Sequence, residues 1–261
     1  MSSDEHAVAS DPVKVAPSGG VQSLERAFDV LELMAAAGGE IAVSRLAAES
    51  GLPVPTIHRI VRTLVANGYV LQMPSRRYTL GPRLIGLGAS AAQTVEAWAS
   101  PHLRALAEAA GETANLAMLD VDQVVYVAQA ASTRHTVRMF TEVGRRVHAH
   151  STGVGKVLLA QLPDDEVREV VVTAGMPATT EHTITDVDQF LAEMRLVREQ
   201  GYAVDDGEQE LGVRCVAVAV PGVLSSAVSV SGPASRVTAE AVPALAVLLH
   251  GAAESLAGRR S

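Results

Sequence analysis

The sequence predicts an α+β protein in two parts: a small helical module with a two-stranded wing, then a larger domain of antiparallel sheet and helices. Three observations predict it. Apolar residues recur at helical spacing through residues 24–65 and then give way to two short strand-like runs, 69–71 and 78–80. Beyond residue 94, strand-like runs surround a block of helices, which argues α+β rather than alternating βαβ units. The charge also divides. Residues 21–93 hold seven arginines against five acids, net +2, whereas residues 94–261 hold thirteen basic and twenty-one acidic residues, net −8.

The first part reads as follows. Residues 1–20 are Ser, Ala, Pro and Gly with scattered charge, and are expected to be a disordered tail. Ser23 is expected to cap a helix over 24–37, in which Leu24, Ala27, Phe28, Leu31 and Met34 recur every three or four residues. Gly38-Gly39 stops it. A short helix over 43–49 has Leu46 and Ala47 apolar and Ser44 and Arg45 polar, and Gly51 ends it, since glycine takes the left-handed cap cheaply. Pro53 and Pro55 suit a turn and a first helical turn. The next helix puts Ile57, Ile60, Val61, Leu64 and Val65 on one face and Thr56, His58, Arg59, Arg62 and Thr63 largely on the other, before Asn67-Gly68 ends it. Pro74-Ser75-Arg76-Arg77 forms the tip between the two wing strands. Residues 21–81 therefore make a winged helix-turn-helix. A linker helix is expected over 82–93, and its apolar stripe Leu84, Ile85, Leu87 is a natural place for two chains to meet.

From Ser50 to Val95 there is no acidic residue, but there are five arginines: Arg59, Arg62, Arg76, Arg77 and Arg83. Phosphate binding needs local positive charge because it works through counterion release. A merely solvated helix face mixes both signs. A helical hairpin inside a larger domain, or a winged helix used for protein contact, would not need an acid-free arginine stretch. Double-stranded DNA is therefore the expected partner, on a pseudo-palindromic site if the chain pairs. Thr56, His58, Arg59 and Arg62 are expected in the major groove or on its phosphates. Arg76 and Arg77 are expected on the backbone or minor groove, and Arg26 and Ser44 complete the candidate set.

In the second part, residues 94–256, a helix is expected over 95–110 despite Pro101. Strands follow over 113–119 and 124–130, joined by a turn at Asp120-Val121-Asp122-Gln123, with a third strand over 137–141. A glycine-containing loop, 148–155, feeds a helix over 156–161. Helices over 164–172 and 187–200 come next, then strands over 202–206, 213–220 and 227–231. A closing helix over 238–256 leaves a short tail, 257–261. Aromatics are only 3% of the chain, so the core must be built from small aliphatics. The single cysteine, Cys215, excludes an internal disulfide and a cysteine-rich zinc site and suits a reducing cytoplasm. The amino terminus has no signal-peptide core, and no run is long and apolar enough to span a bilayer, so the expectation is a soluble cytoplasmic protein with no membrane partner.

Alternation along the strands is informative. Cys215, Ala217 and Ala219 share one face, as do Ala227, Ser229 and Ser231 on the next strand. If these faces coincide, they leave an open volume walled by hydroxyl and thiol groups. The alternative is a close-packed core of small residues with satisfied serines. Thr152-Gly153-Val154-Gly155 enters a helix, where backbone N–H groups suit a carboxylate. Asp205 can accept from a ligand. Other chemistry fits poorly. Gly153-Val154-Gly155-Lys156 lacks the upstream glycine and following Ser/Thr of a P-loop. His148-Ala149-His150 lacks a further ligand at zinc spacing, so no metal or cofactor is expected. A thiol in an apolar strand stays protonated, and no histidine is placed to activate Cys215, so no enzyme is expected. Asp164-Asp165-Glu166 is a helix start favoured by the dipole.

Several blocks, in order, carry a resemblance: Ser23-Leu24-Glu25-Arg26-Ala27; Leu46-Ala47 with Gly51-Leu52-Pro53 and Thr56-Ile57-His58-Arg59; Tyr78-Thr79-Leu80-Gly81; Thr152-Gly153-Val154-Gly155-Lys156; Gly201-Tyr202-Ala203-Val204-Asp205-Asp206; Gly212-Val213-Arg214-Cys215-Val216-Ala217; and Ser229-Val230-Ser231-Gly232-Pro233. Together they resemble the IclR family of bacterial transcription regulators, from about residue 21 to 256. The resemblance implies a winged helix-turn-helix, a linker helix and a GAF-like effector-binding domain, and dimers that commonly pair into tetramers. It also implies effector contacts at Gly153, Val154, Asp205, Cys215, Ser229 and Ser231, and likeness to the allantoin- and glyoxylate-responsive branch. Two positions depart: Gly207 replaces an acid usual after the Asp pair, and the hairpin tip Val220-Pro221-Gly222 is shorter than usual. The resulting expectation is a regulator, a repressor in preference to an activator, whose operator binding responds to a small carboxylate such as glyoxylate, pyruvate or a ureido-acid. The rivals are an activator of aromatic or small-acid catabolism genes, an enzyme with a docking module, and an interaction adaptor.

Overall fold

The computed structural model describes residues 20–120, 123–135, 143–222 and 225–258. The chain divides into two compact units, Met1–Ala89 and Ser90–Ser261.

The first unit is a helix-turn-helix with a wing. Its helices are α1 (Gln22–Ala36), α2 (Val43–Ser50) and α3 (Val54–Ala66), and its strands β1 (Val70–Gln72) and β2 (Tyr78–Leu80) pair antiparallel. Val30, Met34, Ile41, Leu46, Ile57, Ile60, Val61, Leu64 and Val70 form one core. Gly51 caps α2 in the left-handed conformation at φ +67°, as its place in the sequence requires. Two expectations for α1 fail. The helix begins two residues early, at Gln22, because the Val21 carbonyl accepts from Leu24 N at 2.7 Å, so Ser23 lies within the helix and caps nothing. Its buried face is carried by Val30 and Met34, while Leu24 and Phe28 are 55% and 62% exposed. The core of this unit is small: from the first turns of α1, Ala27 packs against it while Leu24 and Phe28 stay exposed.

The expected linker helix and the helix after it are one element, α4 (Arg83–Ala110). Pro101 lies inside it on the exposed side. Proline removes one backbone hydrogen bond, but Ala99, Leu103, Leu106 and Ala107 hold that stretch down on the second unit's core.

The second unit is three layers deep. Its sheet has the order β5 (Arg146–His148), β4 (Gln123–Ala130), β3 (Thr113–Asp120), β8 (Ser226–Pro233), β7 (Val213–Ala219), β6 (Ala203–Asp206), and every pairing is antiparallel. On one face Leu116, Val216, Val218, Val228 and Val230 pack with α4 and α8 (Val242–Leu256). On the other face Ala117, Ala203, Ala217 and Ala227 pack with α5 (Gly153–Leu159), α6 (Asp164–Ala174) and α7 (Val187–Gln200). Alanines here let the helices approach closely. The expected strand over 137–141 and the turn residues Val121 and Asp122 lie outside the described residues.

The glycine-containing stretch is more ordered than expected. His148 leads into a 3-10 turn at Ala149–Ser151, and α5 starts at Gly153 rather than at residue 156. The cause is Thr152, whose hydroxyl caps the helix by accepting from Gly155 N at 3.1 Å. Gly155 has no room for a side chain, since a β-carbon there would lie 2.1 Å from the Ala149 carbonyl oxygen. Because the obstacle is backbone, Gly155→Ala is expected to destabilise the second unit by about 1–3 kcal/mol or more. Urea unfolding followed by circular dichroism measures this, and a wild-type midpoint would show that the turn can open without cost.

Candidate functional site

Each unit carries its own group of candidate site residues. In the first unit, α3 turns His58, Arg59 and Arg62 to solvent while Ile57, Ile60, Val61 and Leu64 are buried. None of the described residues forms an ion pair with Arg59 or Arg62, so their charge is available to a phosphate or a base edge. Arg26 of α1 lines a groove with Thr56 and Arg59. A second groove runs along the other side of α3, between His58, Arg59 and Arg62 and the wing residues Gln72 and Tyr78. Ser44 is exposed on the first turn of α2, and its neighbour Arg45 is engaged with Glu49 at 2.6 Å. Arg76 and Arg77 are exposed at the wing, Arg76 with φ +63°. The wing is less free of acid in space than in sequence, because Ser75 donates to Glu40 at 2.5 Å. Arg83, the fifth arginine of the acid-free stretch, is occupied: it donates to the Asn67 carbonyl at 3.1 Å and lies over the Tyr69 ring.

In the second unit, strand register places the small polar residues together. Asp205 pairs with Cys215, and Cys215 with Ser231; Ala217 pairs with Ser229, and Ala219 with Ala227. The two small faces therefore coincide. Gly153, at the start of α5, meets this face: a β-carbon there would lie 3.4 Å from Cys215 Sγ. Val154 is fully buried in the same layer. The six residues thus lie on one sheet face and the helix over it. Ser229 Oγ is fully buried, beside the Cys215 thiol, with no hydrogen-bond partner of ordinary geometry among the described residues. A buried hydroxyl without a partner is costly.

The electrostatics follow from burial. Asp205 Oδ1 accepts from Glu208 N at 2.8 Å and Gln209 N at 3.3 Å, yet withdrawal from water outweighs these bonds and pushes the carboxyl up to about 7. Burial, with the Asp205 charge beside it, pushes the Cys215 thiol up to about 11, so it stays protonated. Burial likewise raises the Tyr126 phenol, helped by Cys215 and Asp205. His150 is lowered by burial and held by the Pro177 carbonyl at 3.2 Å; its ring lies 5.6 Å from that of His148.

Sequence reasoning missed five residues. Lys156 is 1% exposed and donates to Glu208, to Glu193 at 3.3 Å and to the Val204 carbonyl at 3.1 Å. It ties α5 to the segment that carries Asp205, and Glu208 was missed with it. Asn115, Gln129 and Tyr126 share the polar face from β3 and β4. Alternation along those strands was the available signal for Asn115 and Gln129.

The family profiles decide the assignment. The profile described as "IclR helix-turn-helix domain" matches residues 23–74, and that described as "Bacterial transcriptional regulator IclR C-terminal" matches residues 89–257. The chain belongs to the IclR family. It is a DNA-binding transcriptional regulator of that family. The regulator KdgR of Dickeya chrysanthemi is 35% identical over 242 residues, covering 90% of this chain and 79% of that protein. The repressor IclR of Escherichia coli is 33% identical over 257 residues, covering 96% and 92%. The repressor AllR of Salmonella typhi is 34% identical over 229 residues, covering 84% and 82%, so its branch is one of several at similar distance. Among solved structures, an IclR homolog from Microbacterium hydrocarbonoxydans complexed with 4-hydroxybenzoate superposes at TM-score 0.67 with 26% identity, covering 91% and 98%.

A raised carboxyl makes stability depend on pH. The folded form of Asp205 holds its proton up to about pH 7, whereas the unfolded chain releases it near pH 4. Its stabilising contribution is therefore complete below about pH 4 and is lost as pH rises through about 7. Relative to Asp205→Asn, this IclR-family regulator should lose on the order of 2–4 kcal/mol between pH 5 and pH 8. Thermal unfolding of both proteins across that range gives the difference; parallel curves would show that Asp205 is ionised throughout.

Proposed function

We propose that this chain is a repressor that binds a pseudo-palindromic operator as a homodimer or dimer of dimers, and that a small carboxylic acid bound in the second unit alters that binding. The observation that carries the reading is the polar sheet face under α5: Asp205, Cys215 and Ser231 in one row, and Ser229 beside them with its hydroxyl unmatched. Its side chains are small and its groups are hydroxyl, thiol and carboxyl, which fits a short oxo-acid such as glyoxylate or pyruvate, or a ureido-acid. Repression accords with the similar proteins IclR of Escherichia coli and AllR of Salmonella typhi, both repressors. The effector acts only if it binds one arrangement of the paired reading heads more tightly than another. An aromatic acid is the second reading, favoured by the 4-hydroxybenzoate complex of the Microbacterium homologue. Thermal shift with both classes decides; stabilisation by aromatic acids alone would overturn the short-acid reading.

Two outcomes test the DNA side. Arg59→Ala should weaken operator binding by about 1–3 kcal/mol, concentrated at one base pair if Arg59 reads a guanine and uniform across sequences if it contacts phosphate. A mobility-shift titration with unchanged affinity would remove α3 from the interface. Ile85 and Leu87 stand 74% and 55% exposed on α4 and need a partner. Light scattering is expected to show a dimer or tetramer free and on DNA; a monomer in both states would overturn the assembly.

A further inference from the structure

The polar wall does not end at Ser229 and Ser231. Strand β3 lies beside β8, with Asn115 directly opposite Ser229 and one diagonal step from Ser231. On its other side Asn115 stands opposite Gln129 of β4. Asn115 is fully buried, and both ends of its carboxamide are used. Gln129 Nε2 donates to Asn115 Oδ1 at 3.2 Å, and Asn115 Nδ2 donates to Ser231 Oγ at 3.4 Å. The direction of this chain has a chemical consequence. An amide whose oxygen is taken by Gln129 turns its N–H toward Ser231. The serine oxygen then has a lone pair occupied, and its single proton is left for the Cys215 thiol beside it or for a ligand. Ser229 adds a second hydroxyl on the same face with no ordinary partner of its own.

We propose that Asn115 is a specificity-determining positioning residue of the effector site: it holds Ser231 as a hydrogen-bond donor toward the ligand, so that this wall selects a carboxylate over the corresponding uncharged amide. The inference rests on the short-acid reading above. A carboxylate only accepts hydrogen bonds, so it pairs fully with hydroxyls set as donors. An amide brings an N–H group to a wall whose acceptor capacity Asn115 has already drawn on. A buried site discriminates strongly when the wrong ligand leaves polar groups unpaired. Gln129 acts one step further back by fixing which end of the Asn115 amide faces Ser231.

Calorimetry on the full-length protein with glyoxylate, pyruvate and pyruvamide tests this. Wild type should bind at least one acid, and pyruvate about tenfold or more tighter than pyruvamide. Asn115→Asp keeps the shape but replaces the donor by an acceptor, drawing the Ser231 proton away from the ligand. The acid-over-amide preference should fall about tenfold. Because Asn115 acts through Ser231, adding Asn115→Ala to Ser231→Ala should cost less than about twofold more. If Asn115→Asp does not fold, Gln129→Met at the half-buried end of the chain frees the amide to turn, and should lower the same preference by about threefold. A residue that merely fills the core would change the melting temperature and leave that ratio alone. An unchanged ratio in the folded variants, or losses at Asn115 and Ser231 that add independently, overturns the inference while acid binding by wild type leaves the short-acid reading in place. Failure of wild type to bind either acid overturns that reading and this inference with it.

Discussion

The antiparallel register between β7 and β8 is the constraint on which the second unit depends. Cys215 faces Ser231, Ala217 faces Ser229 and Ala219 faces Ala227. The opposite face of the same pair sets Val216 against Val230 and Val218 against Val228, with Arg214 and Gly232 at its end. A slip of one residue would exchange these faces, sending hydroxyls into the layer under α8 and valines into the layer under α5. Both layers would suffer, because each is packed for side chains of one size. The hydrophobic difference between the faces therefore sets the register, and the register assembles the polar site.

A buried ion pair then joins the parts of that site. Lys156 follows the glycines of α5 by sequence and reaches Glu208, whose own amide holds Asp205. The segment around Glu208 is braced further by Thr180 and Thr183, whose hydroxyls donate to the Gly207 carbonyl at 2.6 Å and the Glu208 carbonyl at 2.7 Å. Gly207 takes φ +75° in this turn, a conformation that favours glycine. Removing one member of a buried pair leaves an uncompensated charge. Lys156 accordingly ties the start of α5 to the turn that follows Asp205.

Much of this was legible in the chain. Helical spacing located α3 and its apolar face, glycine chemistry placed the end of α2, and alternation in 213–220 and 227–231 separated the small faces from the valine faces. What was not legible has physical reasons. No local signal showed that the expected linker helix and the helix after it are one element, α4; its passage through Pro101 was expected, and packing at Ala99 and Leu103 holds that stretch in place. The amino-terminal turns of α1 expose Leu24 and Phe28 although their spacing matches a buried stripe; periodicity says which residues share a face and not whether anything covers it.

The sequence by itself determined the class of protein: an acid-free arginine helix in a winged module, an acidic α+β domain, and the residue types of a small polar site. Local chemistry suffices for these, since turn residues, periodicity and charge act over a few positions. Only the tertiary structure decided which distant groups meet. It closed Lys156 on Glu208 across 52 positions, and it linked Gln129 through Asn115 to Ser231. It also placed Tyr126: a register shift between Leu116 and Ala117 moves β4 by one residue, so that Tyr126 rather than Val127 stands opposite Ala117. Alternation read without that bulge turns the phenol to the wrong face, because the side a strand residue faces depends on every pairing between it and the reference strand.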